Sequence, residues 1–278
     1  MAARFAQDDA DADRRYTRYR DEDPFPDIEP ALLNSADIGD YVAATGMILP
    51  FVEDGERLKT ASYEIALLGR YVYWDGQGEE HSDVIGVGDP FVLKANSIAF
   101  VTLEPMFRVP NYIAIRFNLR ITNIYRGILL GTGPLVDPGF VGHLSLPLHN
   151  LTINDYAFRG GEGLIWMEFT KVSRHPRQQR AGVAVRRPRR RGQLFGIQPY
   201  KADPSLDVRY YLNKAWPAGP IRSSITDATL RATNSAAEAA TSADASRQEV
   251  QRQRRLFTGF GGVALLTIIL GVIAVVVM

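Results

Sequence analysis

Residues 142–150 alternate leucines with side chains that can take part in chemistry, and they read GHLSLPLHN. Successive side chains of a strand point to opposite faces, so the leucines share one face and a second set shares the other: His143, Ser145, Pro147 and His149. Imidazole has a pKa suited to proton transfer, so His143 or His149 is a candidate general base. The alternative is a polar surface that faces solvent or a channel between subunits.

Other classes of reactive site find little support in the sequence. The 278 residues include no cysteine and four scattered histidines, which excludes thiolate zinc sites, cysteine nucleophiles and a zinc deaminase. The run GTGP at 131–134 lacks the lysine and the following helix of a phosphate loop and is interpreted as a turn. A net charge of +1 gives no global attraction to nucleic acid.

Basic charge is nevertheless concentrated locally, since residues 174–191 contain eight arginines in 18 positions. We interpret 174–198 as a polybasic insertion that forms a solvated loop. One hypothesis is that residues 174–191 bind anionic lipid or nucleic acid. The other is a self-repelling loop balanced by the acidic residues at 8–23.

The C-terminal segment is the longest apolar run, since residues 260–278 read FGGVALLTIILGVIAVVVM. At about 1.5 Å per residue such a helix nearly spans the ~30 Å hydrocarbon core of a bilayer. We predict a transmembrane tail anchor at 257–278. Three preceding arginines, Arg252, Arg254 and Arg255, place the N-terminal part in the cytoplasm as a single-pass protein of the inner membrane. A buried helix of a soluble protein is the alternative.

Three further segments complete the organisation. Residues 1–30 are rich in acidic residues and arginine with little to bury, and are predicted to be a flexible charged arm. Residues 31–216 carry short apolar runs separated by Gly, Pro, Asp and Asn, which predicts a mainly β sandwich or barrel. One early helix is expected between an N-cap at Ser35 and Gly46. Residues 217–256 lack a thick apolar stripe and form either a helical stalk or a polar linker.

Nine motifs inside the central segment resemble dCTP deaminases, and they occur in the same order. They span about 160 of the 278 residues, and the 135–150 motif resembles the family pattern I-D-P-G-F-x-G-x-I-x-L-E-L-x-N. The motifs are LNSADI (33–38), TGMILPF (45–51), LKTASYEIALLG (58–69), FVLK (91–94), AFVTLE (99–104), LVDPGFVGHLSLPLHN (135–150), RGGEGLIWMEF (159–169), PY (199–200) and DVRY (207–210).

The resemblance implies a distorted, jelly-roll type β-barrel like that of dUTPases, assembled as a homotrimer with nucleotide sites between subunits. It implies deamination of dCTP to dUTP without a metal or other cofactor. Relatives hydrolyse dUTP with magnesium, so Mg²⁺ is expected only if the chain hydrolyses a nucleoside triphosphate.

Two departures from the family argue against deamination. The family's catalytic glutamate, which transfers the proton, aligns with Pro147, and proline cannot transfer a proton. The family's R-S-S-x-x-R aligns with residues 120–125, where Ile121 replaces the first serine. The alignment therefore assigns no catalytic residue, and Asp137 is the candidate among the positions shared with the family.

Several nucleotide-binding positions are retained by the same alignment. Asp137 matches a carboxylate that contacts deoxyribose and water, although it could equally fix the turn before Pro138. The residues implied to contact nucleotide are Arg120, Thr122, Arg126, Asp137, Arg209, Tyr210 and Asn213. We therefore expect a membrane-anchored trimer that binds a pyrimidine deoxynucleotide or acts as a scaffold. The alternative is an active nucleotide hydrolase of the dCTP deaminase or dUTPase type that forms dUTP or depletes dNTPs, with a role against phage.

Overall fold

The chain is mainly β in this computed structural model, which describes residues 4–131, 135–173, 208–216, 219 and 221–276, without the side chains of 215, 224, 226, 227 and 254–276. All strand pairings within it are antiparallel. This confirms the predicted class. The strands are β1 (Ile48–Leu49), β2 (Leu58–Lys59), β3 (Ser62–Ala66), β4 (Gly69–Trp74), β5 (Glu80–Ile85), β6 (Pro90–Leu93), β7 (Ile98–Arg108), β8 (Ile113–Leu119), β9 (Ile128–Leu129), β10 (Leu135–Val136), β11 (Val141–Asn150), β12 (Tyr156–Arg159) and β13 (Gly163–Lys171).

Two larger sheets enclose one hydrophobic core. The first has the order β5-β4-β7-β11-β9, with β1 also paired to β7, and the second has the order β10-β8-β13-β3-β2. A two-stranded sheet joins β12 to β6. Alternate residues of β7, β8 and β13 are buried, so each sheet contributes one apolar face to the core and leaves its other face outside.

The helices are short except for the last one. Their bounds are α1 (Asp9–Tyr19), α2 (Ser35–Thr45), α3 (Ile121–Tyr125), α4 (Val208–Ala215) and α5 (Ser224–Val276). Helix α2 ends at Gly46, which adopts the left-handed conformation with φ 64°, as predicted. Its N-cap is Asn34, whose side chain accepts a hydrogen bond from Asp37 N, whereas the sequence predicted Ser35.

Residues 4–30 are ordered against the β-structure, which corrects the prediction of a flexible arm at 1–30. Helix α1 lies along α2 and buries Ala12 completely. Its Asp9 and Asp13, one turn apart, lie 2.6 and 2.5 Å from the guanidinium of Arg108, which is 2% exposed. A buried guanidinium needs counter-ions, and this acidic segment supplies them.

A second buried charge holds the chain that follows α1. Lys171 Nζ lies 2.6 Å from Asp23 Oδ2 and donates to the carbonyl of Phe25 at 2.8 Å. Tyr41 donates its hydroxyl proton to Asp23 Oδ1 at 2.9 Å. Burial and the bond to Asp23 raise the pKa of the Tyr41 hydroxyl, so it stays protonated and remains a donor. The N-terminal residues are therefore part of the folded unit.

Residues 224–276 form a separate unit, the single helix α5. Its helical course over 224–256 agrees with the helical alternative for the predicted stalk at 217–256. Among the residues whose side chains are described, no helix has the length and apolar character that crossing a bilayer requires. The predicted anchor at 257–278 and the polybasic insertion at 174–198 lie outside those residues.

We predict that Lys171→Met lowers the free energy of unfolding by about 3 kcal/mol, because Asp23 is left in a largely buried position without its counter-ion. Urea unfolding followed by tryptophan fluorescence measures this loss. Lys94→Met is the matched control, since the side chains of Lys94 and Asp155 are 55% and 47% exposed and such pairs contribute about 0–1 kcal/mol. Equal losses in the two variants would contradict this role for Lys171.

Candidate functional site

Strand β11 separates its side chains between the core and the outside as the alternation predicts. Leu144, Leu146 and Leu148 are buried. The intervening residues lie on the outer face of the first sheet, where two are exposed and two half-buried: His143, Ser145, Pro147 and His149. Burial lowers the pKa of the His149 imidazole, which favours its neutral form.

Pro147 occupies a part of β11 where a missing N–H is tolerated. It faces Phe100 of β7 on one side. On the other side β9 pairs with β11 only at His149 and Asn150, so within the described residues the strand is an edge at Pro147. Proline is accepted in edge strands because its nitrogen need not donate to a neighbour. The strand therefore keeps its shape without an acid or base at this position.

A local irregularity interrupts the pairing of β7 with β11. Residue partners change from His143 with Met106 to Ser145 with Thr102, so that residues 103–105 of β7 lie opposite Leu144 alone. Pro105 is part of this extra length and has no N–H to contribute to the ladder. Its neighbour Glu104 is exposed on the outer face. Such bulges re-aim side chains at sheet surfaces.

The bulge also sets the hydrogen bonding of His143. Its Nδ1 lies 3.1 Å from the carbonyl oxygen of Leu103. A carbonyl only accepts, so Nδ1 carries the proton in the neutral ring and Nε2 keeps its lone pair. Beside it, the hydroxyls of Thr102 and Ser145 lie 2.8 Å apart.

A cavity of about 730 Å³ lies on this outer face, between strands β4, β5, β7 and β11 and helix α4. This volume is within the usual range of small-molecule sites. Apolar groups such as Leu68, Val84 and Val87 form part of the wall. The polar and charged groups on it include Arg70, Asp83, Glu104, His143, Ser145 and Arg209.

Helix α4 brings one of its expected nucleotide contacts to this cavity. Arg209 lines it, and its Nε lies 2.7 Å from Glu80 Oε1. Tyr210 is 46% exposed and does not line the cavity, although the adjacent Tyr211 does. Asn213 lines a second, smaller cavity of about 210 Å³ beside Trp74.

The expected contacts around α3 lie away from the cavity. Arg120 precedes the helix, with its Nε 3.9 Å from Glu64 Oε2. Thr122 is exposed, and Arg126 bonds to the Tyr156 hydroxyl and covers its ring at 5.2 Å. None of these three expected residues lines the cavity within this one chain.

Asp137 lies in the turn between β10 and β11, is exposed and does not line the cavity. The turn is closed by its main chain, since Phe140 N donates to the Asp137 carbonyl oxygen at 3.2 Å. Its carboxylate has no hydrogen bond to any described residue. The carboxylate is thus available for a ligand or for a second subunit.

Among the described residues, one group of possible metal ligands occurs at the β4–β5 hairpin, where Asp75, Glu79 and His81 bring their ligand atoms within 4.8 Å of one another. The oxygens of Asp75 are already engaged. Oδ1 accepts from the N–H groups of Gln77 and Glu79, and Oδ2 lies 2.9 Å from His81 Nε2. The bond to His81 lowers the pKa of Asp75. We interpret this group as the closure of the hairpin.

Sequence reasoning missed Arg70, Asp83 and Glu104. Alternation within β4 and β7 places Arg70 and Glu104 on an outer face, but it does not show that these strands are neighbours. The pairing of Arg70 with Thr102 provides that information.

Comparison with known proteins finds distant relatives. No family model matches the chain. A dUMP-forming dCTP deaminase of Methanobrevibacter smithii is 23% identical over 158 residues, which are 51% of this chain and 81% of that protein. The chain is thus similar to a dCTP deaminase, in agreement with the motifs.

Two solved structures resemble the chain more weakly. The dCTP deaminase of Agrobacterium tumefaciens is 15% identical, with 51% of this chain and 48% of that chain covered and a TM-score of 0.43. A dUTPase of Streptococcus mutans is 16% identical, with 46% and 88% covered and a TM-score of 0.33. With scores this low, neither structure bears on the function of this chain.

Proposed function

We propose that this chain is a dCTP deaminase-like protein, with a dUTPase-type barrel, that binds a pyrimidine deoxynucleotide or acts as a scaffold and has lost the deaminase reaction. The similarity to a dCTP deaminase supports a nucleotide ligand. The main argument for the loss of deamination is the proline at position 147. It lies on the outer face of β11 at the place of the family's glutamate, where no side chain can hold or transfer a proton.

Among the described residues, the strand neighbours of Pro147 include no carboxylate that could compensate. Its cross-strand partner is Phe100, and its neighbours along the same face are Ser145 and His149. The His149 imidazole is half-buried with a lowered pKa. Ile121, where the family has a serine, is 53% exposed and offers no hydroxyl. Both departures therefore remove a group that the deaminase reaction of the family uses.

An active nucleotide hydrolase is the second candidate. The exposed carboxylate of Asp137 and the exposed Glu104 favour it, because carboxylates can hold Mg²⁺ or activate water. A hydrolase of this kind needs Mg²⁺ for its triphosphate substrate. It differs from the first candidate in its products, which the experiment below detects.

We propose that the protein is a homotrimer. Large apolar side chains are exposed together on α3, β9 and the segment after β11, which are joined by the hydrogen bond from Leu151 N to Gly127 O. Monomeric proteins rarely expose so many adjacent apolar groups. The exposed fractions are Ile121 53%, Ile124 44%, Tyr125 82%, Leu129 43%, Leu151 56% and Ile153 85%.

We also propose that residues 257–278 anchor the protein in the cytoplasmic membrane, with the β-structure in the cytoplasm. The uncharged run at 260–278 and the arginines before it support this. Residues 174–191 are proposed to add contacts with anionic lipid or nucleic acid.

We predict that purified protein binds dCTP without converting it. Calorimetry measures the binding, and chromatography of dCTP and dUTP incubated with Mg²⁺ detects dUTP, dUMP or pyrophosphate. Arg209→Gln should weaken binding about tenfold, because it removes from the cavity wall a charged group that can donate hydrogen bonds to the phosphates. Arg231→Gln on the exposed part of α5 is the control and should bind normally. Turnover at an ordinary enzymatic rate would favour the hydrolase.

We predict that residues 1–223, which form a separate unit, are trimeric and that Ile124→Asp with Leu151→Asp makes them monomeric. A charge at each position opposes burial of the apolar surface. Light scattering at micromolar concentration gives the mass. Val52→Asp is the control, since Val52 is 41% exposed and lies outside this surface. A monomeric wild-type unit would refute the trimer.

We predict that the full chain sediments with membranes and resists extraction by alkaline carbonate, whereas a chain without residues 257–278 is released. High salt distinguishes the arginine cluster, because it screens contacts between basic side chains and lipid but leaves an inserted helix in place. Release of the full chain by salt alone would show that the apolar segment is not an anchor.

A further inference from the structure

The floor of the 730 Å³ cavity combines groups from three adjacent strands. Arg70 of β4 lies opposite Thr102 of β7, and Thr102 lies opposite Ser145 of β11. Glu104 is two residues from Thr102 on the same strand, and His143 is two residues from Ser145. Neighbouring strands are about 4.8 Å apart, so the set extends about 10 Å across the sheet.

Two opposite charges on this floor do not pair with each other. Arg70 and Glu104 are diagonal neighbours, and such side chains start about 7–8 Å apart. Within the described part of the chain, neither has an ion-pair partner within 4.0 Å. The guanidinium is therefore able to donate and the carboxylate to accept, both toward the cavity.

His143 adds a second acceptor to the same cavity. The Leu103 carbonyl holds the proton on Nδ1, so Nε2 of the neutral ring accepts a hydrogen bond. The complementary ligand thus carries an anionic group for Arg70 and N–H donors for Glu104 and His143. A nucleotide with an exocyclic amino group on its base has both, with a phosphate at one end and an NH₂ at the other.

We infer that this cavity selects nucleotides whose base bears an exocyclic amino group, with the amino group at Glu104 and His143 Nε2 and the phosphates toward Arg70. The inference rests on the proposed nucleotide function and adds the residues that recognise the base. Arg70, Glu104 and His143 are not among the nucleotide contacts expected from the motifs. Of those expected contacts Arg209 lines the cavity, whereas Arg120, Thr122, Arg126 and Asp137 do not.

The same geometry disfavours bases that carry a carbonyl in place of the amino group. The carbonyl oxygen of uracil or thymine meets the Glu104 carboxylate and the His143 lone pair, and acceptors that face acceptors lose their hydrogen bonds. Substrates that leave such a group unpaired are rejected most strongly. The site is partly open to water, and water can satisfy part of an unpaired group. We therefore expect the affinities for the two kinds of base to differ by about tenfold and not by several orders of magnitude.

The test is a calorimetric comparison of dCTP, dATP, dUTP and dTTP binding to the full chain in detergent. The wild type should bind dCTP and dATP about tenfold more tightly than dUTP and dTTP. Glu104→Gln should reduce this preference to less than about threefold, because an amide also donates to a carbonyl. Arg70→Gln should weaken all four about tenfold, because it acts on the phosphates.

Glu168→Gln is the matched control, since Glu168 is exposed on β13 and does not line the cavity. Equal affinity for dCTP and dUTP, or an unchanged preference in Glu104→Gln, would overturn this inference while the nucleotide function stands. Absence of binding by all four nucleotides would overturn both. The ¹⁵N spectrum of His143 is an independent readout: an Nε2–H tautomer in the neutral ring contradicts the geometry.

Discussion

The pairing of β7 with β11 is the constraint on which the candidate site depends. Side chains alternate along both strands, so a slip of one residue would bury His143 and Ser145 and expose the leucines between them. Leu144, Leu146 and Leu148 prevent that slip because they fill the core. The same alternation on β4 then brings Arg70 to the outer face. Packing on the inner side thus decides which groups can meet a ligand on the outer side.

The outer face could be predicted in part from the sequence. Alternation in GHLSLPLHN and the glycine that ends α2 are local signals, and both agree with the structure. The convergence of Arg70, Glu104 and His143 depends on which strands are neighbours, and the bulge at Pro105 changes their register. No local pattern contains that information. The placement of Arg209 over this sheet depends likewise on long-range contacts.

The N-terminal segment shows a second limit of reasoning from local composition. A stretch such as DDADADRR has little apolar surface, and this composition alone predicts a flexible segment. Its role is electrostatic, because Asp9, Asp13 and Asp23 neutralise Arg108 and Lys171, which lie far along the chain and are almost fully buried. An acidic segment is therefore interpretable only when the buried cations are known. Those cations lie in strands whose other buried residues are apolar, so the strand sequences alone do not indicate that an acidic partner is needed.

The proposed loss of the catalytic glutamate is compatible with the cavity on the outer face, because the two features involve different parts of β11. Pro147 lies where β11 has a neighbouring strand on one side only, so a proline there removes no hydrogen bond between strands. The fold therefore tolerates proline at this position. His143 and Ser145 flank the bulge, where β7 supplies Thr102 and Glu104. Recognition at that end requires hydrogen-bond donors and acceptors but no proton transfer. A strand of this kind can therefore lack a proton-transferring group at one end and still present hydrogen-bonding side chains on its outer face at the other.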